Sequence, residues 1–251
     1  MFDTLIQFIP QMHLRDVSLF VLTTLTSTIA GIFGLGGGLI LAVTLPWFVP
    51  ANAVVPIHGT TQLASNFSRL LFAYQHVVWS LVPKFVVGSI AGVALFTLVL
   101  SNMPTKYIPV AISVYLLLSL WVNSVQSMLN KIESFYLVGM IQTGLGLVVG
   151  APGPLTITLL MKKLDDREQI VATASVLMGL VNLAKVVTYA TIGFIFWDYL
   201  STIIWAIGGA FLGSFIGTKL RGKFDHQRFI NILKWILTLL ALQTLIRFGF
   251  F

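Results

Sequence analysis

Cysteine is absent from this sequence and charge is scarce: 9% of its 251 residues are Asp, Glu, Lys or Arg. A soluble domain of this length carries about a quarter. Without cysteine there are no disulfides, no thiolate nucleophile and no cysteine metal site. The eight acids, Asp3, Asp16, Glu133, Asp165, Asp166, Glu168, Asp198 and Asp225, stand at the edges of apolar runs, so no span is expected to hold a carboxylate. His13, His58, His76 and His226 lack metal-ligand spacing, and no HExxH, nucleophile–base pair or Walker loop occurs. An enzyme is therefore not expected, and neither is a metal or a cofactor.

What the chain has in quantity is hydrocarbon. Hydrophobic residues make up 57% of it, and the mean hydropathy is +0.94. Runs such as Val17–Phe33, Val86–Leu100 and Ile230–Ile246 approach the length that crosses a bilayer. This composition reads as an all-α, multi-pass integral membrane protein whose constant partner is lipid. The formal charge of +7 is then no sign of nucleic acid. Basic residues fix membrane orientation, and "KKLDDREQ" (Lys162–Gln169) and "KLRGKFDHQR" (Lys219–Arg228) are the clusters expected on the cytoplasmic side. No cleavable signal peptide is expected.

Segments fall near 17–33, 38–49, 53–75, 80–100, 105–122, 133–149, 154–161, 168–192, 199–218 and 227–248. That gives about seven or eight transmembrane helices plus two pieces too short to cross alone. Each short piece follows a break, "GLGGG" (Gly34–Gly38) or "GAPGP" (Gly150–Pro154). A shift of 116 residues places Gly34 on Gly150, Gly37 on Gly153, Asn66 on Asn182 and Arg69 on Lys185. A shift of 121 then sets Gly88–Gly92 on Gly209–Gly213. Two structural repeats follow, 1–122 and 133–251, joined by a linker at 123–132. The distribution of basic loops favours inverted repeats, while Arg15 near an external N-terminus opposes that arrangement.

Broken helices at membrane depth need partners for their backbone, and in transporters the half-helix N-terminus meets an anion. The expected donors are the N–H groups of Gly36, Gly37 and Gly38, faced by Pro152 and Gly153 in the second break. Close helix packing is the competing reason for small residues there. Arg69 and Lys185 are the two basic residues well inside apolar segments, each three residues after an asparagine, Asn66 and Asn182. Cations at that depth are expensive and call for an anionic partner, unless they snorkel to the headgroups. The helix "HGTTQLASNFSRLLFAY" carries a polar stripe of Thr61, Ser65 and Ser68 beside an offset one of Gln62, Asn66 and Arg69. Its counterpart retains Ser175, Asn182, Lys185 and Thr188. The glycine sets at 88/92 and 209/213/217 read as packing seams.

The stretches "GIFGLGGGLILAVTLPWF" and "GTTQLASNFSRLLFAYQH", with "GLGLVVGAPGP" in the second half, resemble the TauE/SafE sulfite exporter family. The resemblance spans nearly the whole chain. It implies a multi-pass permease of the inner (plasma) membrane for sulfite or small organosulfonates, with Gly36–Gly38, Gly59, Thr60, Thr61, Gln62, Asn66 and Arg69 at the site. The expectation is a secondary transporter working by alternating access, with an anion-selective channel as the alternative. The anion's identity, the coupling ion and any homo-oligomer are left open by the sequence.

Overall fold

Apolar runs bounded by Gly, Pro and charge become helices because each backbone group is then satisfied within its own segment. The computed structural model describes residues 14–152 and 155–249, and among these there is no strand. In chain order the helices are α1 (Leu14–Phe33), α2 (Gly37–Thr44), α3 (Ala51–Ala73), α4 (Val82–Asn102), α5 (Ile108–Trp121) and α6 (Asn123–Asn130). Then follow α7 (Phe135–Val149), α8 (Leu155–Lys163), α9 (Arg167–Thr191), α10 (Leu200–Leu220) and α11 (His226–Gly249). Five helices, α1, α4, α9, α10 and α11, are long and apolar enough to cross a membrane. The α5–α6 pair makes a sixth span if its two helices, bent by 87°, are taken together. The stretch expected as a linker thus holds a short helix of its own. Helix α3 is 23 residues long, about 34 Å by helix rise, and too polar to face lipid along its length.

Two seams build the frame. Helix α1 lies along α10, where a Cβ on Gly209 or Gly213 would strike the Phe20 or Thr24 carbonyl. Helix α4 lies along α7, where a Cβ on Gly88 or Gly92 would strike the Tyr136 or Met140 carbonyl. Missing side chains let these backbones touch, which gains dispersion in a solvent that offers no hydrophobic drive between helices. The expected packing role of these glycines is what the structure has. Under the two sequence shifts α1 corresponds to α7 and α4 to α10, so each seam ties one half to the other.

Polar ties fix the ends. The acid at position 16 is at the edge of its run, as expected, yet it is fully buried. It accepts hydrogen bonds from Ser201 Oγ (2.9 Å) and Thr202 Oγ1 (3.1 Å) at the start of α10. At the other end of α1, Arg167 Nη2 donates to the Ile32 carbonyl (3.2 Å) and Arg221 Nε to that of Gly31 (3.1 Å). Cations at a helix C-terminus satisfy its orphan carbonyls and oppose its negative end. Arg221 Nη1 also pairs with Glu168 at 2.8 Å, so the two basic clusters meet at one end of the molecule.

Of the long helices α9 is the most buried and α11 the least. Ile90 and Leu98 of α4, with Ile232 and Leu239 of α11, are exposed apolar residues suited to lipid. The polar helix α3 packs between α9 and α10 in the interior.

Candidate functional site

Helix α1 stops because the chain turns sharply at its glycines. Gly36 has φ +94°, a conformation that side chains with a Cβ avoid, and it caps the N-terminus of α2. By Gly37 the chain has doubled back along α1: a Cβ there would strike the Thr26 carbonyl and come within 3.0 Å of the Ala30 side chain. Gly38 lies against Gln62 Oε1, 3.2 Å from where its Cβ would be. Three adjacent glycines therefore answer three requirements: a turn, a helix contact and room at a cavity. The first-turn N–H groups of Gly37, Gly38 and Leu39 have no acceptor inside α2. In the second half α7 ends at Gly150, φ +72°, and the chain passes Ala151 and Pro152 before α8. Gly153 and Pro154 lie outside the described residues.

Between the two breaks lies a cavity of about 100 Å³, walled by Gly36, Gly38, Gln62, Asn66, Arg69, Pro152, Asn182 and Lys185 among the expected residues. One water needs roughly 10–15 Å³ on this measure, so a small anion has room. Gly37, Thr60, Thr61 and Ser175 are not in its wall. Thr60 and Thr61 donate back to the Ile57 carbonyl, and Ser175 to that of Val171. The two polar stripes of α3 divide the work. His58, Gln62, Asn66 and Arg69 face the cavity, whereas Ser65 Oγ meets Ser214 Oγ of α10 at 3.0 Å. The wall also holds Gln142, Gly150 and Thr156, which the sequence did not assign to the site, and His58, the one histidine that the sequence sets near it. His58 had a signal, since it extends the cavity stripe by one turn before Gln62. Thr156 had none, being one hydroxyl in a short apolar helix.

The two cations are built alike and used differently. Arg69 Nη2 donates to Asn66 Oδ1, and Asn66 Nδ2 donates to the Gln62 carbonyl (2.7 Å). Lys185 Nζ donates to Asn182 Oδ1 (2.8 Å), and Asn182 Nδ2 to the Met178 carbonyl (2.8 Å). Lys185 goes further: it also donates to the Gly150 carbonyl at the end of α7 and lies 3.5 Å from His58 Nδ1. His58 Nε2 is 2.9 Å from the Gly38 carbonyl, which can only accept, so the ring carries its proton there. One hydrogen-bonded chain thus runs from the first break to the second through His58 and Lys185. Arg69 Nε, Gln62 Nε2 and Thr156 Oγ1 are buried without a protein partner among the described residues. Both cations are buried, Lys185 at 2% and Arg69 at 6% exposure, so neither snorkels to a surface. Among the described residues no Asp or Glu lies in the cavity wall.

Along α9 the cavity has an end on either side. Gly34, Leu35 and Ile157 are shared with a second cavity beside Asp165 and Arg167. One turn beyond Lys185, Tyr189 donates from its hydroxyl to the Leu147 carbonyl (3.0 Å) and sits edge-on to Phe194. Phe194 in turn stacks on Tyr199, and Tyr189, Phe194 and Tyr199 line a third cavity on that side.

No curated protein and no solved structure matches the chain. A family model does, that of the sulfite exporter TauE/SafE, over residues 19–244, which takes in both breaks, both cations and both seams. The chain belongs to the TauE/SafE sulfite exporter family.

Proposed function

We propose that this protein is a secondary transporter that carries sulfite or a small organosulfonate across the inner (plasma) membrane by alternating access. The observation that carries the reading is the cavity between the two breaks. It buries two cations, no carboxylate of the described residues stands in its wall, and Arg69 Nε, Gln62 Nε2 and Thr156 Oγ1, without a partner among those residues, are all able to donate. Buried positive charge without a counter-charge is costly, and a small oxyanion supplies one. The guanidinium fork of Arg69 suits two oxygens of such an anion, and the first-turn N–H groups of α2 add dipole and donors. Lys185 contributes its field from the far side of the site.

Two inverted repeats, 1–122 and 133–251, would move against each other. The matched Asn66–Arg69 and Asn182–Lys185 arrangements and the reciprocal seams α1–α10 and α4–α7 support that division. In the alternating-access reading the side of Arg167, where Gly34, Leu35 and Ile157 continue into a second cavity, is the open one, and the packed rings of Tyr189, Phe194 and Tyr199 form the barrier on the other. Purified protein in proteoliposomes is expected to take up radiolabelled sulfite or sulfoacetate with saturation and to show counterflow. Flux that rises linearly with concentration and lacks counterflow would replace the carrier reading with a channel.

A further inference from the structure

We infer that His58 is a proton-binding site that loads together with the anion, so that one proton accompanies each anion through the protein. This rests on the transport reading above and adds to it a coupling group.

The geometry singles out one nitrogen. The Gly38 carbonyl holds the Nε2 proton of His58, which leaves Nδ1 as a lone pair facing Lys185 Nζ at 3.5 Å. Lys185 has three hydrogens, and Gly150 O, Asn182 Oδ1 and His58 Nδ1 are three acceptors. In this arrangement the ammonium has no hydrogen left for an incoming anion, whereas Arg69, Gln62 and Thr156 have donors to spare. A proton added at His58 Nδ1 converts that nitrogen from acceptor to donor. It then releases one Lys185 hydrogen, and His58 and Lys185, which together offered the cavity no donor, now offer it two.

Charge accounts for the pairing of the two events. The groups packed around the His58 ring are Lys185 from α9, the Gly38 carbonyl from α2 and, through Lys185, the Gly150 carbonyl at the end of α7. Helix α2 carries no titratable residue, and on α3 itself Arg69 is the other charged group in the cavity wall. An imidazolium there would be a third cation in a space without a carboxylate, and the anion is the negative charge that balances it. By linkage, whatever favours the proton when the anion is bound favours the anion when the proton is bound. No bond is made or broken beyond N–H: the proton comes from water on the loading side and returns to water with the released anion.

The test uses ethanesulfonate, which stays ionised near neutral pH and so brings no proton of its own. Its binding to purified protein is measured by calorimetry in Bis-Tris and in Tris, cationic buffers whose ionisation enthalpies differ and which bring no competing oxyanion. Wild type is expected to take up close to one proton per anion. His58→Gln keeps a donor for Gly38 and an acceptor for Lys185 but cannot titrate, so it should bind the anion more weakly, and such binding as remains should carry an uptake near zero. Anion binding by wild type without proton uptake overturns this inference and leaves the transport reading standing; absence of anion binding overturns both. Full uptake retained in His58→Gln moves the proton elsewhere and overturns the assignment. Should that variant not fold, the histidine ¹⁵N spectrum of wild type decides: one ring is expected to become doubly protonated on adding ethanesulfonate, and unchanged rings refute the inference.

Discussion

Lys185 donates a hydrogen bond to the carbonyl oxygen of Gly150, the residue at which α7 breaks. A cation on α9 thereby takes the place of the backbone partner that the next helical turn would have supplied. This single contact makes Lys185 part of the architecture of the break as well as of its electrostatics, and it separates the behaviour of the two buried cations.

Lys185→Met is expected to lower stability. It leaves the Gly150 carbonyl and Asn182 Oδ1 as buried acceptors without their donor, at about 1–3 kcal/mol each. Thermal unfolding in detergent measures this. A variant melting with wild type would show that the break is held by packing alone.

Arg69 and Thr156 should behave in the opposite way. Arg69→Ala is expected to weaken anion binding by tenfold or more, about 1.4 kcal/mol or above. Arg69→Lys should recover only part, since an ammonium lacks the planar fork. Thr156→Val removes a hydroxyl that has no protein partner among the described residues, so stability should hold or rise while anion affinity falls. Equal affinity in Thr156→Val and wild type would remove that hydroxyl from the site.

Gly37→Ala is expected to damage folding more than binding. The added methyl would strike the Thr26 carbonyl, backbone that cannot swing aside, and overpacking of this kind costs about 1–3 kcal/mol. Reduced yield and a lower melting temperature, with unchanged affinity in whatever folds, is the expected pattern. A well-folded variant with lost affinity would instead make Gly37 a binding residue.

The lack of cysteine makes sidedness directly measurable. Met161→Cys reports on the cavity beside Arg167, and Asn52→Cys on the one beside Tyr189. A membrane-impermeant maleimide should label the two from opposite sides of oriented vesicles. Labelling of both from one side would contradict a closed barrier at Tyr189.

Much of this was legible in the residues. Hydropathy located the helices because lipid leaves a backbone no alternative, and the glycine breaks declared themselves as four glycines within five positions. The matched Asn–Arg and Asn–Lys spacings placed both cations on cavity-facing stripes. Two polar stripes on α3 could not be told apart, since a polar stripe shows the same periodicity toward a cavity as toward a neighbouring helix. Asp16 was placed correctly at an edge, yet nothing local reveals that Ser201 and Thr202 bury it there.

Composition and patterns a few residues long were enough to make the chain a helical membrane protein with two breaks, two cations set inside apolar segments and every acid at the edge of a run. It took the folded arrangement to show that both cations are buried, that His58 and Lys185 join one break to the other, that Gly37 serves packing, and that Thr156 faces the cavity. Those facts depend on contacts between residues up to 127 positions apart, and side-chain reach across helices is set by packing that no local pattern encodes.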